Sequence, residues 1–409
     1  MSNFGTNVVI GAKASRPIFI ESQTPIFIVG TVVLSTLTAG TDKDGKPIIN
    51  KDLQAKIKEN DGLLFYGKSD DAKADFVEST GTLRNVLDGI TDQNVSTKLI
   101  IAVVSITKEQ SEKKTPEEFY DTPAIKSNII KAIAGAKTAT ALYGTKSNLL
   151  IAPRFSHDLD VKAELESVAS SLSATAIVDL NATDEADATV KMKNYGSKRL
   201  LVCDPYVKVW DTKLDKTITE PSSARVAGMI AHTDSLKEYG WADIPSNQVM
   251  QGISGTSRVI EFIYGQECEA DRLRTLGITT IINIQGFRLW GFDTTDQDFI
   301  WKSLQRVRIF DRVADAVLKG LFWAIDKRAD QLIYAKESAE GLLRSLKGAN
   351  VLVGYEVFWH PEKNTKEALT AGKFYLVADF QNMPTVNRLE IECNFVDKHS
   401  GVLMKMIGA

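Results

Sequence analysis

The sequence predicts an α/β domain followed by a smaller α+β region, and three changes of pattern say so. Between residues 98 and 204 short apolar runs alternate with helical stretches. From about residue 298 apolar residues recur at steps of three and four, and near the end of the chain apolar and polar residues alternate one by one. These are the periods of a parallel sheet covered on both faces, an amphipathic helix and a half-buried strand.

Residues 1–20 hold one apolar patch, Val8, Val9 and Ile10, among small and polar neighbours. That is too little for a core, so this stretch is either unstructured or docked on something else. From Pro25 to Leu34 the chain is rich in Ile, Val and Phe and reads as a buried strand. Residues 38–46, with Gly40, Asp44 and Gly45, read as a turn. In the alternating region 99–104, 149–152, 176–178 and 200–202 are expected strands, and 124–143, 161–172 and 185–194 expected helices. Parallel strands need such crossovers.

Pro221-Ser222-Ser223 is a helix start, because proline suits the first turn and hydroxyls can cap free amides. A longer helix is expected from Asp298. Ile300, Leu304, Val307, Phe310, Val317, Leu321 and Ile325 mark one face. The other faces carry Lys302, Arg306, Arg308, Arg312, Lys319, Lys327 and Arg328 against Asp311, Asp315, Asp326 and Asp330. Residues 373–380 and 388–396 read as strands. In the second, Leu389, Ile391, Cys393 and Phe395 alternate with Arg388, Glu390, Glu392 and Asn394, as in a half-buried antiparallel strand. After a turn at Ser400-Gly401, Val402, Leu403, Met404, Lys405, Met406 and Ile407 read as a last strand.

The chain has 409 residues, 44% hydrophobic and 25% charged, with a net charge of −3. That balance is ordinary for a soluble protein of two or three domains and gives no sign of a nucleic-acid coat or a membrane-surface binder. No apolar run is long enough to span a bilayer, and the first residues lack the basic-then-apolar order of a secretory signal. Three widely separated cysteines, Cys203, Cys268 and Cys393, argue against a disulfide framework and for folding in a reducing cytoplasm.

Catalytic chemistry finds little support. The four histidines, His157, His232, His360 and His399, lie outside metal-ligand spacing of one another and of the cysteines. Ser156-His157-Asp158 contains the residue types of a triad, but chain neighbours rarely face one another as nucleophile and base, and a polar loop accounts for them better. The glycines at 252, 255, 286 and 291 are not followed by the Lys-Ser/Thr of a phosphate loop. No catalytic, cofactor-binding or metal-binding residue is therefore expected. An α/β hydrolase would require a convergent polar site that the sequence does not display.

Residues 221–255 carry a more specific pattern. Ser222-Ser223-Ala224-Arg225-Val226-Ala227-Gly228 is followed by Asp234, Tyr239-Gly240-Trp241, Ile244-Pro245-Ser246-Asn247 and Gly252-Ile253-Ser254-Gly255. This order resembles the tail sheath family of contractile phages and R-type bacteriocins. Further matches are Glu269-Ala270, Leu273, Leu276-Gly277-Ile278, Trp290-Gly291, Trp301 and Arg306-Val307-Arg308. Residues 82–90, Thr-Leu-Arg-Asn-Val-Leu-Asp-Gly-Ile, are similar to its small-sheath branch. The likeness covers most of the chain and is most specific over 221–313. Ile244 stands where the family usually has Ser, and Phe292-Asp293-Thr294 replaces a frequent Arg-Thr.

The resemblance implies a structural subunit with no enzyme activity and no cofactor. The subunit stacks in hexameric rings around an inner tube and contracts without nucleotide. Its implied partners are further copies of itself, the inner tail tube protein, a baseplate and a tail terminator, with no nucleic acid and no membrane insertion. Assembly in a bacterial host cytoplasm and release by lysis are implied too. A sheath-like component of a cytosolic secretion or toxin-delivery machine is the alternative. The implied divisions are an N-terminal arm (1–20), a mainly β region (21–97), a subtilisin-like α/β domain without a catalytic site (98–284), a C-terminal sheath domain (285–397) and a C-terminal arm (398–409). The resemblance makes Asn7, Val8, Val9 and Ile10, with residues 402–407, arm strands that pair with neighbouring subunits. Residues 11–15 and 398–401 become their hinges, and Lys319, Lys327 and Arg328 become candidates for contact with the tube.

Overall fold

The computed structural model describes residues 16–41, 43, 44, 46–108, 110 and 122–406. Its first strand, β1 (Ile26–Val33), is buried at every position, as its sequence, apolar but for Thr31, requires. A hairpin of β2 (Thr38–Thr41) and β3 (Pro47–Ile49) follows, then α1 (Lys51–Glu59), β4 (Leu63–Tyr66), α2 (Ser69–Phe76), α3 (Leu83–Thr91) and β5 (Leu99–Ile106). The next elements alternate as the pattern predicts: α4 (Pro123–Tyr143), β6 (Leu149–Ile151), α5 (Leu159–Leu172), β7 (Thr175–Asp179), α6 (Glu185–Met192) and β8 (Leu200–Cys203). Local chemistry sets the helix starts. Proline opens α4, while the carboxylates of Asp158 and Asp184 accept first-turn amides of α5 and α6.

Beyond β8 come β9 (Val207–Asp211) and β10 (Lys216–Glu220), then α7 (Ser223–Ser235), β11 (Gly255–Thr256), α8 (Glu269–Thr275), β12 (Ile278–Asn283) and β13 (Phe287–Trp290). β10, β9 and β11 form a small sheet of their own. The main sheet has eight strands in the order β13-β12-β8-β7-β6-β1-β5-β4. The pairings from β12 across to β5 are parallel, and the edge strands β13 and β4 run antiparallel. This is a mixed α/β architecture built on one large sheet. The stretch expected as a separate mainly β region supplies β1 to the middle of that sheet and carries three helices, and the sheet runs on through β13, past residue 284.

Alternate residues of each central strand feed two cores. Phe27, Val29, Ile100, Leu150, Ala176 and Val202 pack with Ile129, Ile133 and Leu165 of α4 and α5. Ile26, Ile28, Ile101, Ile151, Ile177 and Leu201 pack with Leu83, Leu87, Val226 and Ile230 of α3 and α7. A side chain buried this way is worth roughly 1.5–3 kcal/mol.

The remainder is a second packing unit. It contains α9 (Leu304–Leu321), α10 (Leu332–Gly348), β14 (Leu352–Trp359), α11 (Lys366–Thr370) and β15 (Leu376–Asn382), and ends in α12 (Ser400–Met406). Its core joins Ile309, Val313 and Ala316 of α9 to Leu342, Leu343 and Leu346 of α10, with Trp241 and Ile18 brought from elsewhere. The long helix is shorter than its periodicity suggests. Asp298 folds the preceding residues into a turn by accepting the Ile300 amide, Ser303 caps the helix, and the chain turns again at Asp326, where φ is +60°. Ile300 and Ile325 therefore fall outside the helix and are exposed.

Two strand expectations near the end do not survive. Residues 388–396 belong to no strand and are exposed on both faces, because among the described residues no strand pairs with them. Residues 400–406 form a helix rather than the expected arm strand: Leu403, Lys405 and Met406 are good helix formers, and an isolated edge gives a strand nothing to bond to. Asn7, Val8, Val9, Ile10 and Ile407 lie outside the described residues, as does the hinge at 11–15.

Candidate functional site

In open α/β sheets ligands bind beyond the carboxyl ends of the strands, where the strand order reverses. Here that point lies beside β1, whose successors β5 and β6 sit on opposite sides of it. Side chains fill it. The Thr31 amide donates to the Thr82 hydroxyl at 2.9 Å, and Leu83 closes over Gly30 so tightly that a Cβ there would lie 2.6 Å from its Cδ2.

Asp179, at the end of β7, is fully buried. It accepts the Ser223 amide at 2.9 Å, the Ser223 hydroxyl, and the Ser156 hydroxyl at 3.2 Å. Burial pushes its pKa up, opposed by those bonds and by the charge of His157. The carboxylate thus caps α7 from the end of β7 and ties Ser156 to it. Asp158 faces away, capping α5 and pairing with Lys126 at 2.7 Å. Burial alone would raise the Asp158 pKa, but Lys126 and the helix amides outweigh it and hold the carboxyl below its usual range. The residues of the would-be triad therefore serve two different helices. His232 Nδ1 sits 3.1 Å from the Asn94 carbonyl oxygen, and His360 Nδ1 accepts the amides of Glu362 and Lys363 in a turn. Burial pushes the Cys203 thiol well up, which keeps it unreactive. Among the described residues no group of three or more His, Cys, Asp or Glu is placed to hold a metal.

The buried charges concentrate elsewhere. Arg308 and Arg312, expected on the polar faces of α9, point into the protein. Arg308 donates to Asp234 at the end of α7, which also accepts the Thr24 hydroxyl. Arg312 donates to the carbonyl oxygens of Glu21 and Gln23 at 3.0 and 3.1 Å and to the Thr24 hydroxyl at 2.6 Å. Burial brings the Arg312 pKa down to about 10, which leaves it charged at neutral pH. Residues 16–24 are thereby laid along α9. Ile18 fills the notch left by Gly320, and the Arg16 guanidinium lies 4.5 Å over the Trp323 ring. The sequence signal, arginines four apart beside Val307 and Ile309, was present but ambiguous.

Lys319 lies in the last turn of α9, and Lys327 and Arg328 in the connection to α10, all three exposed. Lys319 pairs with Asp315 at 3.2 Å, and Asp315 also holds Lys146 at 2.7 Å. Arg328 pairs with Asp330 at 3.6 Å. Leu318, Phe322, Ile325 and Ile333 are exposed in the same stretch, so the corner is basic and apolar together.

At the other end of α9, Arg306 donates to the Asn382 side chain at 3.0 Å, and Phe310 stacks on Phe380 with centroids 4.3 Å apart. Asn382 closes β15, and beyond it the chain runs out. Leu389 and Ile391 are each 76% exposed and Phe395 95%. Among the described residues the β14–β15 pair is joined by no third strand. An alternating apolar segment and an unextended two-stranded sheet thus stand on one chain.

Residues 129–295 match the family described as phage tail sheath protein central domain. A putative prophage major tail sheath protein of Pseudomonas aeruginosa is 34% identical over 359 residues, covering 84% of this chain and 88% of that protein. The tail sheath protein of Escherichia phage P2 is 25% identical over 412 residues, 95% of this chain and 96% of that one. Among solved structures, a subunit of the contracted sheath of an extracellular contractile injection system superposes with a TM-score of 0.66 at 14% identity, over 98% of this chain and 99% of that one. A subunit of the contracted helical sheath of the anti-feeding prophage gives 0.65 at 17% identity, over 96% and 99%.

Proposed function

This chain belongs to the phage tail sheath family, and on that premise we propose that its copies stack as hexameric rings around an inner tail tube, contract without nucleotide, and drive the tube through a target cell envelope. It is a structural protein of a contractile tail or tail-like particle. Its partners in this reading are neighbouring copies, the tube, a baseplate and a tail terminator, with no nucleic acid and no insertion into membrane. The particle assembles in a bacterial host cytoplasm and leaves by lysis. The α/β part corresponds to the family's subtilisin-like domain and moves as a rigid body during contraction.

The observation that carries this reading is the bare alternating segment at 388–396. One head-to-tail contact, repeated by rotation and rise, makes an open filament. Adding this segment to the free edge of β14–β15 in a neighbour would satisfy main-chain groups on both sides and cover Leu389, Ile391 and Phe395. Asn7, Val8, Val9 and Ile10 are proposed to add in the same way, with residues 402–407 following the donated segment and 398–401 bending as subunits rotate. The extended state is held by a kinetic barrier, and rigid-body rotation releases it. The corner of Lys319, Lys327 and Arg328 faces the tube, where charge orients a partner without interlocking it.

Negative-stain microscopy of the purified protein is the test. Full-length chain is expected to form rings or tubes, and chain lacking residues 384–409 to remain a folded monomer. Tubes of normal length from the truncated chain would refute strand addition, and a full-length chain that forms no rings or tubes would refute the subunit assignment.

A further inference from the structure

We propose that α9 is a tie between the two ends of the chain, fastened by a buried clasp that keeps the eight-stranded sheet out of the line of pull. The inference rests on the sheath reading only for the origin of the load. Residues 16–24 and residue 382 are separated along the chain by the entire main sheet, yet both are fixed to one helix. The N-terminal segment is held by Arg312 through two backbone carbonyls and Thr24, by Thr24 on Asp234, which Arg308 in turn fixes to α9, and by Ile18 in the Gly320 notch. The C-terminal exit is held by Arg306 on Asn382, by Gln305, whose Oε1 accepts the Asn382 amide at 3.4 Å, and by Phe310 stacked on Phe380.

Tension applied at the two ends therefore enters α9 near residues 312–320 and leaves near 305–310. β1, which follows Thr24 directly, feels it only after the clasp opens. The clasp resists because opening it takes three hydrogen bonds from the buried Arg312 guanidinium, 7% exposed, and the Thr24 hydroxyl from the buried Asp234 carboxylate, 0% exposed. The missing side chain at Gly320 keeps the strap close, since any Cβ there would meet Ile18 at 2.6 Å.

Single-molecule pulling on the full chain, with peptide handles at both ends, tests this without assembly. The intact chain should show a high-force first event. Arg312→Lys, which keeps the charge and loses the fork, should lower that force. It should also add an early, separate release of the nine residues 16–24, roughly 3 nm of contour at about 3.5 Å per residue. Gly320→Val leaves the Arg312–Asp234 contacts in place and should give the same early release. First events of unchanged force and length in both variants would overturn the proposal, as would extension of the main sheet in the intact chain before any release of the strap. Because the readout is a monomer's, a failed clasp and a failed sheath assignment remain distinguishable: tubes can form from a chain whose clasp gives way.

Discussion

β1 and the stretch 389–396 are each eight residues long and rich in strand-forming side chains, yet one is completely buried and the other is bare. The difference lies in what the rest of the chain supplies. β1 has β5 along its whole length, β6 beside its first three residues and helices on both faces, so its side chains are buried within the molecule. Residues 389–396 have neither. Their alternation records a surface that must be covered on one side, and the cover is not among the described residues of this chain. A pattern thus reports the need for burial without reporting who provides it.

Substitutions should separate these two regions by their effect on the isolated chain. Asp234→Ala removes the carboxylate shared by Arg308 and Arg312 and should cost about 3–5 kcal/mol of unfolding free energy by denaturant titration. Leu83→Ala empties the site over Gly30 and should cost about 3 kcal/mol. Asp158→Asn keeps a good helix cap but loses Lys126, so roughly 0.5 kcal/mol is expected at neutral pH. The Asp158 carboxyl titrates below its unfolded value, so its contribution is complete above the ordinary Asp range and is lost as pH falls through the lower folded pKa. Melting curves of the wild type and of the Asp158→Asn variant should therefore converge in acid; a gap that persists there would assign the effect to capping instead. Changing Leu389, Ile391 and Phe395 together to Ser should leave monomer stability within about 0.5 kcal/mol while abolishing tubes. A large loss of monomer stability would mean that the segment packs on its own chain.

Much of the central architecture was legible because it obeys one rule at a time. The strands at 149–151 and 200–203 are apolar throughout and 175–179 is apolar at its centre; Asp158 and Asp184 cap the helices between them, and Pro123 opens the one before. The C-terminal unit was less legible because its residues serve two purposes. Arg308 and Arg312 look like solvent-facing charges on an amphipathic helix, and only the position of Asp234, far away in the chain, turns them inward. β14 (Leu352–Trp359) and α10 went unrecognised, since Gly354, Tyr355 and Glu356 blur the alternation of the strand and the helix has a narrow apolar face. The tail at 400–406 was misread because a short apolar run has no period long enough to decide between helix and strand.

Cys393 gives the bare segment a chemical handle. It stands in the same alternation as Leu389, Ile391 and Phe395 and is the exposed cysteine, whereas Cys203 and Cys268 are buried. A thiol reagent added to the native protein will therefore mark this one position first. In a strand captured by a neighbour the same sulfur would be shielded along with the apolar side chains beside it. The alkylation rate then becomes a clock for subunit exchange, counting free ends in solution without a microscope.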